Sequence, residues 1–178
     1  MSRVCRRFLA TTAALCLCVT LADVSQVKAY ADQASADLSI GGTQIEAHSG
    51  LPSTGGELLI GGGYGLGDMF VLRASLGYGL FHASRGTASV GRVRAEAAYL
   101  LDVLSVVPFF GLGVGGWLYE RNGPSVSPSG HVLFGVDLLW TREWNVGLDG
   151  RLGLLLISDD PFMVGEAQLR LSRVFDLF

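Results

Sequence analysis

The chain has 178 residues, of which 49% are hydrophobic and 16% charged, with 25 Gly, 9 Phe, 5 Tyr and 3 Trp. Glycine without a G-x-y period excludes collagen, the aromatic content and low charge exclude a disordered chain, and a net charge of −3 carries no footprint of nucleic-acid binding. The mean hydropathy of +0.42 is high for a soluble domain, yet the apolar residues are scattered rather than gathered into the long runs of a helical membrane protein.

The first segment reads as an address. Arg3, Arg6 and Arg7 precede an apolar stretch from Phe8 to Ala22, and Ala29-Tyr30-Ala31 follows with the small-x-small spacing of a signal-peptidase site. Residues 1–31 are therefore expected to be a secretory signal and 32–178 one barrel domain, with cleavage after Ala31 or after Ala22. A membrane anchor is the alternative, although fifteen apolar residues are short for a span. Cys5, Cys16 and Cys18 all fall in this segment, preceded by no convincing lipoprotein box. The mature chain would have no thiol, hence no disulfide, no Cys-ligated zinc and no Cys nucleophile. It would carry a net charge of −6, and every basic residue in it is Arg, whose planar fork suits pairing with carboxylates in confined places.

From about residue 36 onward the dominant period is two, which predicts strands. Residues 36–47 contain Leu38, Ile40 and Ile45, and residues 56–66 put Leu58, Ile60, Tyr64 and Leu66 on one parity. From Phe70 to Leu80 the even positions are apolar, while the odd ones read Val71, Arg73, Ser75, Gly77 and Gly79. Residues 90–101 set Val93, Ala95, Ala97 and Tyr99 against Arg92, Arg94 and Glu96. Residues 106–119 set Phe110, Leu112, Val114 and Leu118 against Phe109, Gly111, Gly113 and Gly115. Residues 132–140 set Phe134, Val136, Leu138 and Trp140 against Gly135 and Asp137. Residues 144–156 set Leu148, Leu152 and Leu154 against Asp149 and Arg151, and the last segment sets Ala167, Leu169 and Leu171 against Glu166, Gln168 and Arg170.

Eight strands of about 10–14 residues result. Short turns at 67–69, 102–105 and 141–143 alternate with segments read as longer loops at 48–55, 82–89, 120–130 and 157–162, richer in Ser, Pro, Gly and Asp. The fold class predicted is all-β, an eight-stranded antiparallel up-and-down barrel.

Alternation alone does not say which parity faces outward. A soluble barrel with an apolar ligand would be greasy inside, a transmembrane barrel greasy outside. Strand lengths suited to crossing hydrocarbon, and a minority parity of glycines and charges of both signs, favour the transmembrane form. So do Tyr64, Phe70, Tyr99, Phe110, Trp140 and Trp144, which all lie within a few residues of the short turns, as an aromatic girdle at one membrane rim would. The uncharged run from Val103 to Leu118 could be read as a transmembrane helix, but Pro108 and four glycines make it a poor one.

The stretch Ser105-Val106-Val107-Pro108-Phe109-Phe110-Gly111-Leu112-Gly113-Val114-Gly115-Gly116 and the Gly135–Arg151 hairpin resemble small bacterial outer-membrane β-barrels of the OmpA-barrel, OmpX and opacity-protein type. The resemblance implies bacterial outer-membrane residence, with membrane lipid and the barrel-insertion machinery as partners. It also implies that a terminal aromatic is read by that machinery. Counting back by twos from Phe178 meets Asp176, Val174 and Ser172. Counting from Phe175 meets Arg173, Leu171, Leu169 and Ala167, a better ladder with three residues to spare. Either the insertion signal departs from the pattern or a bulge corrects the register.

The expected interior is a network of Arg73, Arg92, Arg94, Arg151 and Arg170 with Glu57, Glu96, Asp137, Asp149 and Glu166, five of each sign, closing the lumen to a wide channel. His48, His82 and His131 are read as solvated rim residues. No catalytic residue, metal site or cofactor is expected, nor any nucleic-acid partner, and the protein is expected to be a monomer with a structural or surface-loop role. The alternatives are a lipid A-modifying hydrolase on the same barrel, or a soluble periplasmic barrel holding an apolar ligand.

Overall fold

The structure is a computed structural model that describes residues 33–46, 54–83, 86–101, 105–120, 124–157 and 160–176. The expected signal segment, its cleavage sites, the three cysteines, His48 and Phe178 lie outside the described residues. Eight strands follow in order: β1 (Gln33–Ile45), β2 (Thr54–Leu66), β3 (Phe70–Ala83), β4 (Gly86–Leu100), β5 (Val106–Glu120), β6 (Pro124–Leu139), β7 (Trp144–Ile157) and β8 (Asp160–Asp176). Each pairs antiparallel with the next, and β8 closes on β1, so every strand has two neighbours and the wall has no edge strand.

The register sets the shape. Register partners followed once round the wall run from Ala34 through Tyr64, Leu72, Ala97, Leu112, Val132, Leu152 and Gly165. The path returns to β1 at Gln44, ten residues further along. With strands about 4.8 Å apart and residues about 3.3 Å apart, that stagger tilts eight strands by about 40°. A strand of thirteen residues then rises about 30 Å, enough for an apolar band about 25 Å tall.

The tilt leaves a narrow interior, and side-chain parity decides what fills it. Leu148, Leu152 and Leu154 are 46%, 52% and 51% exposed, while Arg92 and Asp149 are 4% and 2% exposed. The same division holds on β3, where Leu72, Leu76 and Leu80 point out and Val71 and Arg73 point in. This is the inverse of a barrel built around an apolar ligand. A soluble monomer rarely exposes a contiguous apolar patch beyond a few hundred Å²; here the exposed Leu, Ile, Val and Phe side chains come from all eight strands.

Two expectations are corrected. Three of the four connections read as longer loops shrink to two or three residues, because β3 and β4, β5 and β6, and β7 and β8 run on toward each other. The physical reason is visible in β6: Ser125, Ser127 and Ser129 look like loop residues by composition, yet they keep the inward parity while Val126 stands out. Only the connection between β1 and β2, residues 46–53, is long. The second correction concerns β8, whose pairing with β1 runs without a bulge from Val164 to Asp176. The outward ladder is therefore Ala167, Leu169, Leu171, Arg173 and Phe175.

The turns at the other end are built locally. Gly67 takes a positive φ of 68°, which opens the β2–β3 turn. Thr141 Oγ1 accepts from the backbone N–H of Glu143 and of Trp144, at 3.2 and 3.1 Å, and so shapes the β6–β7 turn.

Candidate functional site

Among the described residues, charged side chains from distant strands converge in the barrel interior. Glu57 on β2 is a hub: it accepts from Thr43 Oγ1 at 3.1 Å, Arg92 Nη1 at 2.6 Å, Arg94 Nη2 at 2.9 Å and Gln168 Nε2 at 2.5 Å. Arg92 and Arg94 also pair with Glu166. Alternation on β4 puts both arginines inward, two residues apart, and Glu57 of β2 and Glu166 of β8 each pair with both of them.

A second group lies nearer the short turns. Arg151 meets Glu96 through Nε at 2.6 Å and Nη2 at 3.1 Å, and reaches Asp149 at 3.4 Å. Arg170 pairs with Asp137 and, at 3.3 Å, with Asp149, and Arg73 reaches Asp137 at 3.2 Å. Gln168 joins the two groups: its Oε1 accepts from Arg151 Nη1 at 2.8 Å while its amide donates to Glu57. All ten charged residues singled out in the sequence thus stand inside the barrel, each in an ion pair with at least one of the others.

Glycines on the inward parity make room for these long side chains. A Cβ on Gly147 would lie 2.6 Å from Asp137 Oδ1, and one on Gly113 would lie 2.3 Å from His131 Nε2. His131 itself departs from expectation. Because β6 begins at Pro124, His131 is not at the rim but within the wall, pointing inward, where Nε2 stands 3.0 Å from Glu96 Oε1. His82, by contrast, lies exposed near the loop end of β3.

The ionic centre is capped at both ends by apolar side chains, which pair-counting of charges missed. Toward the short turns lie Val71, Leu100, Val107, Phe109 and Leu133; toward the other end lie Ile45, Phe81, Val90, Trp117, Leu155 and Phe162. Aromatic rings join caps to centre: Arg73 sits 4.4 Å over the Phe109 ring and Arg92 4.1 Å over Trp117. A cavity of about 20 Å³ beside Asp37, Arg73, Gln168 and Arg170 is wide enough for one water molecule. The signal for the caps was present in the inward parity at Phe109 and Val71, but a face selected for its charges hides its apolar members.

The six aromatic residues singled out at the short turns all stand on the outer wall. Tyr64, Phe70, Phe110, Trp140 and Trp144 are exposed and Tyr99 is half-buried. Phe70, Tyr99 and Phe110 form a row, with ring centroids 5.2 and 5.5 Å apart, because they are cross-strand partners in register. Among the described residues, Ser127 Oγ is bonded to the Tyr119 hydroxyl at 2.9 Å, and His131 Nε2 stands 3.0 Å from Glu96 Oε1. Among the described residues no group of His, Cys, Asp and Glu side chains is arranged to hold a metal.

No family model matches the chain, and no curated protein matches it in sequence. Solved structures do share its fold. Neisserial surface protein A is 19% identical, with 82% of this chain and 96% of that one covered and a TM-score of 0.54. The outer membrane protein OprG from Pseudomonas aeruginosa is 9% identical, with 82% and 97% covered and a TM-score of 0.57. Ail, the attachment invasion locus protein of Yersinia pestis, is 13% identical, with 82% and 99% covered and a TM-score of 0.54. The resemblance to small outer-membrane barrels is thus established at the level of fold, that of a closed eight-stranded antiparallel meander.

Proposed function

We propose that the chain is an integral protein of the bacterial outer membrane, a monomeric barrel with its short turns in the periplasm. Its role is structural, or is exercised through the end that carries residues 46–53, and it is not an enzyme. The observation that carries this reading is the inversion of the barrel: aliphatic side chains outward on all eight strands, ten ionised groups paired within. Hydrocarbon is the solvent that suits such a wall. The apolar outward ladder through Leu169, Leu171 and Phe175 supports recognition by the barrel-insertion machinery.

The lumen is plugged rather than open. Eight strands leave room for side chains and little more, and here the space holds an ionic centre between two apolar caps. The closed wall has no edge strand to recruit a second copy.

Fractionation of cells expressing the full chain, with gel migration before and after boiling, tests the reading. The expected result is recovery in the outer-membrane fraction with a faster-migrating unboiled form. Recovery solely in the soluble periplasmic fraction would overturn it.

A further inference from the structure

Arg173 is out of place on the outer wall. The other described strand arginines, at 73, 92, 94, 151 and 170, are buried inside, whereas Arg173 is 51% exposed on the face that carries Leu169 and Leu171. It stands at the short-turn rim between two rings, 5.8 Å from the centroid of Trp144 and 5.3 Å from that of Phe175. Its ion pair with Glu143 is loose, 3.6 Å between two exposed groups, and Arg142 adds a second cation in the same turn. Guanidinium has five donors, so this contact leaves others for an anion.

A groove begins beside it. The register carries Arg173 across to Ala36, then Gly62, Ala74 and Ala95. These small residues form a floor over three strand spacings, about 14 Å, that starts one spacing from Arg173. Leu38, Ile60 and Leu76 wall it on the side of the long connection, and Tyr64 and Leu72 on the side of the short turns. Because the stagger climbs toward the long-connection end in this direction, the groove rises about 12 Å from the rim into the apolar band.

We infer that this outer-wall site holds one glycerophospholipid of the periplasmic leaflet, its phosphate on the Arg173 guanidinium between Trp144 and Phe175 and one acyl chain along the Ala36–Ala95 groove. The inference rests on the outer-membrane reading proposed above. The charge of Arg173 matches the phosphate, the aromatic level matches the headgroup region, and the groove floor has the length of about twelve carbons of an extended acyl chain.

Native mass spectrometry of the full chain, folded in detergent and titrated with palmitoyl-oleoyl phosphatidylglycerol, diacylglycerol or lipid A, tests it. Phosphatidylglycerol is expected to be retained and diacylglycerol not. Arg173→Gln should weaken phosphatidylglycerol retention about fivefold, Arg173→Lys less, and Arg142→Gln little. Ala74→Leu, which leaves every charge in place, should also weaken it by obstructing the groove. Equal retention by wild type, Arg173→Gln and Ala74→Leu overturns the inference, as does equal retention of diacylglycerol or an Arg173 effect on lipid A alone. Folding is read from heat-modifiable migration. Variants that fold and reach the outer membrane with unchanged lipid retention defeat this inference alone, whereas a wild-type chain found solely in the soluble periplasm defeats the location from which it starts.

Discussion

The guanidinium of Arg151 grips the carboxylate of Glu96 at two points, Nε to Oε1 at 2.6 Å and Nη2 to Oε2 at 3.1 Å, across 55 residues of chain. Both side chains are buried, so each is the other's substitute for water. Glu96→Leu would leave Arg151 without its principal counter-ion and remove the partner of His131. The expected loss is about 3–5 kcal/mol of unfolding free energy. The double variant Glu96→Leu with Arg151→Leu should lose less than Glu96→Leu alone, since no orphan charge remains. Urea titration of the barrel in lipid vesicles measures both; losses that simply add would refute the coupling.

Gln168 ties the two ionic groups together. Gln168→Leu removes a donor from Glu57 and an acceptor from Arg151, with an expected cost of about 1–3 kcal/mol. A double-mutant cycle between Gln168→Leu and Glu57→Gln should show a coupling above about 0.5 kcal/mol. Strict additivity would mean the bridge carries no energy.

Glycine on the inward parity is there for space, and a pair of alanine substitutions separates space from backbone freedom. Gly147→Ala drives a methyl to 2.6 Å from Asp137 Oδ1 and 2.8 Å from Arg170 Nη2, with an expected loss of about 1–3 kcal/mol. Gly130→Ala, on the outer parity with nothing within 4 Å, should be neutral or slightly stabilising. Equal effects at the two sites would show that crowding in the lumen is not the reason for glycine.

The layered interior predicts how the barrel behaves as a barrier. In planar bilayers the wild-type chain should show no discrete ionic conductance. Phe109→Ala and Trp117→Ala each thin one cap, and each is expected to cost about 3–5 kcal/mol of stability while leaving the bilayer silent, because the ionic centre still blocks the path. Steady channel currents from the wild type, or from either single variant, would show that the plug is not layered.

Much of the fold was legible because a wall between two different environments writes itself as alternation. The parity of Leu72 against Arg73, of Val93 against Arg94 and of Leu148 against Asp149 is the same in sequence and in space. Connections were harder to read. Ser125, Ser127 and Ser129 have the composition of a loop, yet their backbone groups pair with β5, and hydrogen bonding rather than apolar burial extends the strand there. His131 was misplaced for the same reason: its surroundings follow from where β6 begins, and its neighbours in sequence do not reveal that.

The sequence by itself determined which side chains share a face, since a period of two admits no other arrangement once strands form. The lengths of the strands, the charge types and the aromatic residues at the short turns also pointed the apolar face outward. Only the tertiary structure decided who meets whom. Closing eight strands with a stagger of ten brings Glu57 of β2 to Arg92 and Arg94 of β4 and to Gln168 of β8, and lays Ala36, Gly62, Ala74 and Ala95 in one line from Arg173. Such meetings depend on strand register, a property of hydrogen-bonded pairs that is absent from any single strand.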